Sequence, residues 1–263
     1  MKSPTPTKKP IYILGCQRSG TSLLRRIIGS HSNIAAPAES AFLVQLARMF
    51  EIKRSLQGLL DMGFSEEDVL AQMRVFICHF FDEYTKSKGK NRWADKTTPY
   101  LDHADTIERI FNGEVVYVGI VRHGLDVANS LSKMDWGVLA PYFAGDIDKR
   151  IAGIKFWRDQ NQKLLDFKSK VGDRFHLIRY EELTESPSPV LQDLFSFLYE
   201  PWESGVLNYN NYDHDPGFES DEVAEHKSIV PNSGRYKAWP KGLQEQAFSE
   251  AREIFDSLDY HLN

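Results

Sequence analysis

The sequence predicts an α/β fold, in which a single domain has a central parallel sheet flanked by helices. Residues 11–14 (IYIL) and 115–121 (VVYVGIV) are short runs rich in apolar and β-branched residues. Such runs are typical of strands that are buried on both faces of a parallel sheet. Each run is followed by a segment whose apolar residues recur at helical spacing. Strands and helices that alternate in this way predict an α/β domain.

The bulk composition narrows the class of protein. The chain of 263 residues is long enough for one large domain with a full core. Its net charge of −5 disfavours a general nucleic-acid or anionic-membrane binder, because either partner favours a basic surface. The same total still permits a local basic pocket for a small anion.

Cysteine content and hydropathy indicate a cytoplasmic protein. Cys16 and Cys78 are too few for a disulfide framework or a cysteine-based metal site. No stretch reaches the ~20 apolar residues of a membrane span, and the apolar run near the start is too short for a signal peptide. We therefore expect a flexible tail at residues 1–9 and one domain at residues 10–263.

The first half of the chain begins with the strand at 11–14, a glycine-rich turn and a helix that ends near Gly29. A second helical region is predicted at 40–60. A third helix begins at Ser65, where Ser-Glu-Glu-Asp provides an N-cap and acidic residues in the first turn. We interpret its apolar stripe as core packing. The stripe consists of Val69, Met73, Phe76, Ile77, Phe80 and Tyr84.

The second half repeats the alternation of strands and helices. The predicted elements are a strand at 115–121, a helix at 125–134, a long helix at 147–168, a strand at 175–180 and a helix at 190–198. Residues 202–240 are rich in Asn, Asp, Gly and Pro and predict a loop. A closing helix follows, with Leu243, Ala247, Ile254 and Leu258 on one face.

Residues 15–22 (GCQRSGTS) form the most informative motif. Gly15 and Gly20 have the spacing of the nucleotide-triphosphate loop, in which glycines let backbone N–H groups approach a phosphate at a helix N-terminus. The lysine position of that loop holds Thr21, and the positive charge lies inside the turn at Arg18. The alternative is a tight turn without a ligand. One charge and three hydroxyls in so short a turn favour an anion site.

The segment 17–24 (QRSGTSLL) resembles the 5′-phosphosulfate loop of sulfotransferases that use 3′-phosphoadenosine 5′-phosphosulfate (PAPS). It is more similar to the protein-tyrosine and related bacterial enzymes than to the cytosolic phenol enzymes. The resemblance implies a P-loop nucleoside-triphosphate-hydrolase-like fold, with PAPS as co-substrate, 3′-phosphoadenosine 5′-phosphate (PAP) as product and no metal. The implied donor-binding residues of the loop are Gly15, Arg18, Ser19, Gly20, Thr21 and Ser22.

A second motif follows the predicted strand at 115–121. Arg122 comes at the end of this strand, and Ser130 lies eight residues later on the next helix. Ligands of open α/β sheets bind at the carboxyl ends of the strands, and an arginine suits a phosphate because it donates two parallel hydrogen bonds. The spacing resembles the family's 3′-phosphate motif. A surface ion pair is the alternative for Arg122 alone.

Two later segments extend the resemblance to the nucleotide. Tyr180 begins a Tyr-Glu-Glu-Leu segment, which resembles a family segment whose tyrosine lies near the nucleotide. Ser233-Gly234-Arg235-Tyr236 resembles the loop that covers the 3′-phosphate, and so implies roles for Ser233 and Arg235. Three aromatic residues are candidates to stack on adenine, although packing is the favoured role of each. They are Trp202, Tyr212 and Trp239.

The reaction needs a base for the acceptor hydroxyl and cations near the transferred group. Glu39 occupies the position of the catalytic glutamate of protein-tyrosine sulfotransferases, although as a bare residue it could equally be an acid at a helix N-terminus. Lys96 matches a family lysine that contacts the bridging oxygen between phosphate and sulfate. His31, His103 and His123 are competing bases.

Together, these motifs imply an in-line transfer of a sulfuryl group from PAPS to a hydroxyl of a small-molecule, glycan, lipid or peptide acceptor. Glu39, Lys96 and Arg18 are the expected catalytic residues. The helices between residues 40 and 90, and the stretch 136–148 with Trp136, Tyr142 and Phe143, are expected to shape the acceptor pocket.

Two other functions compete with this hypothesis. The first is a small-molecule kinase, which the missing loop lysine and the lack of an obvious magnesium aspartate disfavour. The second is an inactive nucleotide-binding or scaffold protein, which the presence of Glu39 and Lys96 beside both phosphate motifs disfavours. The oligomeric state stays open.

Overall fold

A five-stranded sheet forms the centre of the protein, and every pair of neighbouring strands is parallel. In the computed structural model the described residues are 8–134, 137–143, 147–215, 217 and 228–262. The strand order is β2-β3-β1-β4-β5. The strands are β1 (Ile11–Leu14), β2 (Ile34–Ala35), β3 (Arg92–Asp95), β4 (Val116–Val121) and β5 (Phe175–Arg179).

Helices cover both faces of this sheet. They are α1 (Thr21–Gly29), α2 (Phe42–Glu51), α3 (Lys53–Asp61), α4 (Glu66–Ser87), α5 (Ala104–Phe111), α6 (Gly124–Leu131), α7 (Lys149–Val171), α8 (Tyr180–Glu185), α9 (Pro187–Phe197), α10 (Lys241–Glu250) and α11 (Arg252–Ser257). Short 3₁₀ helices lie at Thr98–His103, Gly137–Tyr142, Gly172–Arg174, Ser204–Asn211 and Arg235–Ala238. The predicted fold class, a central parallel sheet flanked by helices, is confirmed.

The core consists of two apolar layers, one on each face of the sheet. Successive residues of a strand point to opposite faces. Ile11 and Ile13 of β1 therefore pack in the layer that contains α1 and α9, whereas Tyr12 and Leu14 pack in the layer that contains α4, α5 and α7. Because both faces are covered, the central strands β1 and β4 consist of apolar residues and one glycine, whereas β3 and β5 also contain charged residues. This is why β1 and β4 were recognisable in the sequence.

The shortest strand and two helix breaks differ from the sequence prediction. β2 has only two residues, too few to produce a periodic signal. The helical region predicted at 40–60 is two helices, because Ile52 between α2 and α3 has an extended ψ of 103°. The predicted closing helix is likewise interrupted at Ala251, whose φ is −135°.

The interpretation of the α4 stripe as core packing was partly wrong. Val69, Met73 and Ile77 are buried as expected, but the side chains of Phe76 and Phe80 are 48% and 51% exposed. These two rings pack edge-on against the ring of Phe42 at the margin of the core, with centroids 6.3 and 6.0 Å away. The buried face of α4 includes Leu70 and Phe81 in place of Phe76 and Phe80, so the predicted stripe was partly on the wrong side of the helix.

The predicted N-terminal tail lies mostly outside the described residues, since residues 1–7 are not among them. Lys8 Nζ lies 2.7 Å from Glu200 Oε2, and Lys9 Nζ donates to the carbonyl oxygen of Gly113 at 2.9 Å. Trp136 also lies outside the described residues. No helix in the described ranges has both the length and the apolar character to cross a membrane.

Two Gly→Ala substitutions test how tightly the sheet is packed. A Cβ on Gly119 of β4 would lie 2.5 Å from two ring atoms of Phe175 in the core, so Gly119→Ala should lower the free energy of unfolding by about 1–3 kcal/mol. Gly58 of α3 has no heavy atom within 4 Å of such a Cβ. Gly58→Ala should therefore raise the free energy of unfolding by about 0.5–1 kcal/mol. Urea unfolding measures both, and equal effects would contradict this account of the sheet.

Candidate active site

All five strands deliver a predicted functional segment to the same edge of the sheet. Parallel strands end at one edge, and open α/β sheets bind ligands there. In spatial order, Glu39 follows β2, Lys96 follows β3, the loop 15–22 follows β1, Arg122 follows β4 and Tyr180 follows β5. Neighbouring strands are about 4.8 Å apart. The predicted residues therefore span the sheet, with the loop in the middle.

The two loop glycines are required by the geometry of the turn. A Cβ on Gly15 would lie 2.7 Å from the carbonyl oxygen of Ile120, and one on Gly20 would lie 2.6 Å from a ring carbon of Tyr180. Gly20 also has a φ of +99°, which disfavours any other residue. Arg18 has a φ of 68° in the same turn. The loop is therefore a tight connection that brings backbone close to the sheet edge.

The end of this loop has the properties of an anion site. Gly20 is the N-cap of α1 and has no side chain that could cap the helix. The first N–H groups of α1 therefore point to the loop without a capping hydrogen bond from a side chain. Ser19 and Thr21 are buried. The hydroxyl of Ser19 has no hydrogen-bond partner among the described residues. A buried hydroxyl without a partner is costly, and a bound anion oxygen would satisfy it.

The two predicted phosphate motifs are in direct contact. Arg18 Nε donates to Ser130 Oγ at 2.8 Å, and Arg122 Nη1 donates to the carbonyl oxygen of Arg18 at 3.1 Å. Arg122 is only 8% exposed, and its Nε is buried with no hydrogen-bond partner in the described ranges. Two motifs that are 100 residues apart in sequence thus form one basic site.

Tyr180 forms the wall between these motifs. Its buried ring packs on Gly20, and the guanidinium carbon of Arg122 lies 4.4 Å from the ring centroid. Burial raises the pKa of the phenol, while the positive charge of Arg122 acts against that rise. The side chain is therefore neutral at physiological pH and offers a flat apolar face with a polar tip.

Glu39 and Lys96 form an ion pair on the other side of the loop. Lys96 Nζ lies 2.5 Å from Glu39 Oε1, and Thr98 Oγ1 donates to the same oxygen at 2.7 Å. The Lys96 side chain is 2% exposed and that of Glu39 is 17% exposed. Glu39 Oε2 has no hydrogen bond within the described part of the chain. One carboxylate oxygen is thus anchored, and the other can accept a proton.

A buried polar cluster, which no sequence motif indicated, adjoins the Glu39–Lys96 pair. Asp95 Oδ2 accepts hydrogen bonds from Ser40 Oγ, at 2.8 Å, and from Tyr100 Oη. Burial raises the pKa of Asp95 to about 6, against the effect of these bonds. Ser40 and Asp95 adjoin Glu39 and Lys96 in sequence, so the cluster links the two segments that carry the ion pair. A polar residue in a buried strand was the only signal for it.

The three competing histidines make contacts away from the Glu39–Lys96 pair. His31 lies beyond the far end of α1, about 13 Å along the helix from the loop, and its Nε2 is 2.9 Å from the carbonyl oxygen of Pro201. His103 Nδ1 is 2.9 Å from Glu51 Oε2. The ring of His123 stacks on that of Tyr236, with centroids 4.7 Å apart. These contacts leave Glu39 as the preferred candidate for the base.

The segment at 233–236 reaches the second phosphate motif through its backbone. The N–H groups of Gly234 and Arg235 donate to Asp126 of α6, at 2.7 and 2.8 Å, while the side chain of Arg235 is exposed. Asp126 had not been singled out in the sequence. Its position inside the Arg122–Ser130 motif was the available signal.

Two of the three candidate stacking aromatics, Trp239 and Trp202, are packed against protein, whereas Tyr212 is exposed. Trp239 is buried, and its Nε1 donates to Asn129 Oδ1 at 3.0 Å. The ring of Trp202 packs near that of Phe195, with centroids 6.2 Å apart, and Tyr212 is 39% exposed. Among the residues that the structure describes, no group of three or more His, Cys, Asp or Glu is arranged to hold a metal ion.

A parallel sheet with a phosphate-type loop after its central strand defines a P-loop-like α/β protein. Within that class, the profile of the sulfotransferase family matches residues 10–204. The chain therefore belongs to the sulfotransferase family, as its motifs predicted.

Known proteins agree with this assignment. The sulfotransferase domain of the Synechococcus PCC 7002 olefin synthase superposes with a TM-score of 0.70 at 22% identity, over 99% of each chain. A mouse sulfotransferase complexed with PAP superposes with a TM-score of 0.53 at 13% identity, over 95% of this chain and 84% of that one. Protein-tyrosine sulfotransferase 1 from Danio rerio is 20% identical over 211 residues, which are 76% of this chain and 55% of that protein. The chain spans 27%, 32% and 55% of the lengths of the curated relatives that it matches.

The buried Asp95 predicts a specific pH dependence of stability. Its pKa of about 6 in the folded protein is above the ordinary value of 3.8, so its contribution to stability is present at low pH and is lost as the pH rises through 6. Asp95→Asn removes this titration. Between pH 5 and pH 8, wild type should lose about 1 kcal/mol of unfolding free energy relative to the variant. Urea unfolding of both proteins at the two pH values measures this, and a pH-independent difference would refute the assignment.

Proposed function

We propose that this chain transfers a sulfuryl group from PAPS to a hydroxyl group of an acceptor. The observation that carries the proposal is the direct contact between the two phosphate motifs, in which Arg18 bonds Ser130 and Arg122 bonds the backbone of Arg18. A donor that has separate 5′ and 3′ phosphate groups requires two anion sites in one basic cleft. Membership of the sulfotransferase family supports the same donor.

The 5′-phosphosulfate is assigned to the loop. The N–H groups at the start of α1 and the hydroxyls of Ser19, Thr21 and Ser22 would bind its oxygens, while Gly15 and Gly20 allow the close approach. The buried Ser19 hydroxyl, which has no described partner, fits this role. Binding at the helix N-terminus needs no metal, and none is proposed.

The 3′-phosphate is assigned to Arg122 and Ser130, with Ser233 and Arg235 as covering residues. Ser130 Oγ accepts from Arg18, so its own proton is available for a phosphate oxygen. The buried Nε of Arg122 has no described partner and would donate in the same way. Tyr180 offers its ring as the wall beside the nucleotide. The PAP in the mouse relative is consistent with such a site.

Sheet order supports the assignment of the acceptor side. Arg122 follows β4 on one side of the loop, whereas Lys96 and Glu39 follow β3 and β2 on the other. A nucleotide that extends from Arg122 to the loop therefore presents its terminal sulfuryl group toward Glu39. The ion pair is then located where an acceptor hydroxyl must enter for in-line attack.

The proposed step is a single displacement at sulfur. Glu39 Oε2 takes the proton of the acceptor hydroxyl while the hydroxyl oxygen forms a bond to sulfur. The bond between sulfur and the bridging oxygen breaks, and its electron pair stays on that oxygen, which leaves as the 5′-phosphate of PAP. Lys96 and Arg18 offset the charge on the bridging oxygen and the planar sulfuryl group.

The acceptor and the cellular setting complete the proposal. A small-molecule, glycan, lipid or peptide hydroxyl would enter past the helices between residues 40 and 90, with Tyr142 and Phe143 as further pocket residues. We assign the sulfotransferase domain to residues 10–263, after a tail at 1–9. A cytoplasmic location is supported by the two cysteines, both of which are free thiols.

Replacement of the base tests the chemistry. Glu39→Gln keeps the shape of the side chain but cannot accept a proton, so turnover should fall by roughly 10²–10⁴-fold. PAP affinity should stay within about threefold, because Glu39 is assigned to the acceptor side. The assay is mass spectrometry of a panel of hydroxylated acceptors for the gain of one sulfuryl group, with sulfate release from PAPS as a second readout. Near-normal turnover would exclude Glu39 as the base. Glu253→Gln, at an exposed residue of α11, is the matched control.

Replacement of the arginine tests the nucleotide site. Arg122→Ala removes a charged hydrogen-bond donor and should weaken PAP binding by about 10–100-fold, measured by calorimetry. Arg174→Ala is the control, because Arg174 precedes β5 at the opposite edge of the sheet and pairs with Glu108. Equal PAP affinities of the two variants would contradict the assignment of the 3′-phosphate.

A further inference from the structure

Helix α6 carries the proposed 3′-phosphate ligand Ser130, and Arg122 lies just before its N-cap. The helix also holds residues 232–239, which we call the C-terminal strap. The carboxylate of Asp126 accepts the N–H groups of Gly234, Arg235 and Tyr236, at 2.7, 2.8 and 3.4 Å. Asp126 is 2% exposed. A buried carboxylate that binds three consecutive backbone donors is a strong, specific anchor.

The conformation of the strap is built for this contact. Gly234 has a φ of +81°, which turns successive N–H groups toward one point. Such a concavity of backbone donors commonly binds an anion, and here the anion is a side chain of the protein itself. The strap is therefore arranged around Asp126, and its backbone amides are not available to bind a phosphate.

Three more contacts fix the same strap to the same helix region. Arg122 Nη2 donates to the carbonyl oxygen of Asn232. The rings of His123 and Tyr236 stack with an interplanar angle of 2°. At the far end, the Trp239 Nε1 donates to Asn129 Oδ1 at 3.0 Å. The contacts on α6 and its N-cap extend over about two turns, alongside Arg122 and Ser130.

We infer that Asp126 is a positioning residue for the 3′-phosphate, because it holds the strap where the side chain of Arg235 joins Arg122 in binding that group. Arg122 Nη2 donates to Asn232 of the strap, so the strap passes directly beside Arg122. Arg235 follows three residues later, and its backbone N–H is bound to Asp126 at 2.8 Å. The inference rests on the proposed donor site and extends it to the selection of 3′-phosphorylated nucleotides.

The test compares two nucleotides that differ in the 3′-phosphate, PAP and adenosine 5′-phosphate (AMP). Wild type should prefer PAP. Asp126→Asn places an amide Nδ2–H against backbone N–H groups, which releases the strap. PAP affinity should then fall by about tenfold or more, while AMP affinity stays within about twofold. Arg235→Ala should likewise lower PAP affinity and leave AMP affinity nearly unchanged. The double variant should lose no more PAP affinity than Asp126→Asn alone, because the two residues act through one contact.

Controls separate this role from a general effect on folding or charge. Asp193→Asn makes the same charge change at an exposed side chain of α9 and should leave both affinities unchanged. Trp239→Phe removes the hydrogen bond to Asn129 Oδ1, together with part of the packing of a buried indole. It should lower the preference for PAP in the same direction by a smaller factor, so it tests the strap even where Asp126→Asn does not fold. Equal loss of PAP and AMP affinity, no loss, or additive effects of Asp126→Asn and Arg235→Ala would overturn the inference. A wild-type protein without a preference for PAP would instead overturn the proposed donor site.

Discussion

The contact between Arg18 and Ser130 is the interaction on which the rest of the site depends. Arg18 Nε donates to Ser130 Oγ at 2.8 Å and so connects the loop that follows β1 to the helix that follows β4. Arg122 adds a second contact, because it donates to the backbone carbonyl oxygen of Arg18. Arginine suits this place because its donors point in several fixed directions and its charge persists when it is buried. Since this contact holds the loop and the helix together, the two proposed anion sites keep a fixed separation. In the proposed function, that separation selects a donor with phosphates at both the 5′ and 3′ positions.

The order of strands places the other proposed functional residues on either side of the Arg18–Ser130 contact. β1 is central, with β3 and β2 on one side and β4 and β5 on the other. The residues proposed to contact the nucleotide are thereby gathered on the β4 and β5 side, and the Glu39–Lys96 pair on the β3 and β2 side. Asp95 and Asp126 have similar structural roles. Asp95 binds Ser40, next to Glu39, and Asp126 binds the backbone of the strap. Neither is proposed to touch the reacting atoms.

The sequence was most informative where a local rule applied. The doubly buried β1 and β4, the glycine loop and the Arg122–Ser130 spacing all leave local patterns, and the fold class and family followed from them. It was least informative where a contact joins distant segments. Nothing local indicated that Asp126 would bind the backbone at 234–236 or that Ser40 and Tyr100 would bind Asp95. Apolar spacing likewise could not tell that Phe76 and Phe80 lie at the margin of the core, because exposure depends on how far the neighbouring helices extend.

Calorimetric titration of the wild-type protein with PAP, and separately with ATP and magnesium, tests the central claim most directly. We predict saturable binding of PAP and at least tenfold weaker binding of ATP with magnesium, because Thr21 replaces the lysine that a triphosphate loop uses and the second proposed anion site is matched to a 3′-phosphate. Tighter binding of ATP with magnesium, or no binding of PAP, would contradict it.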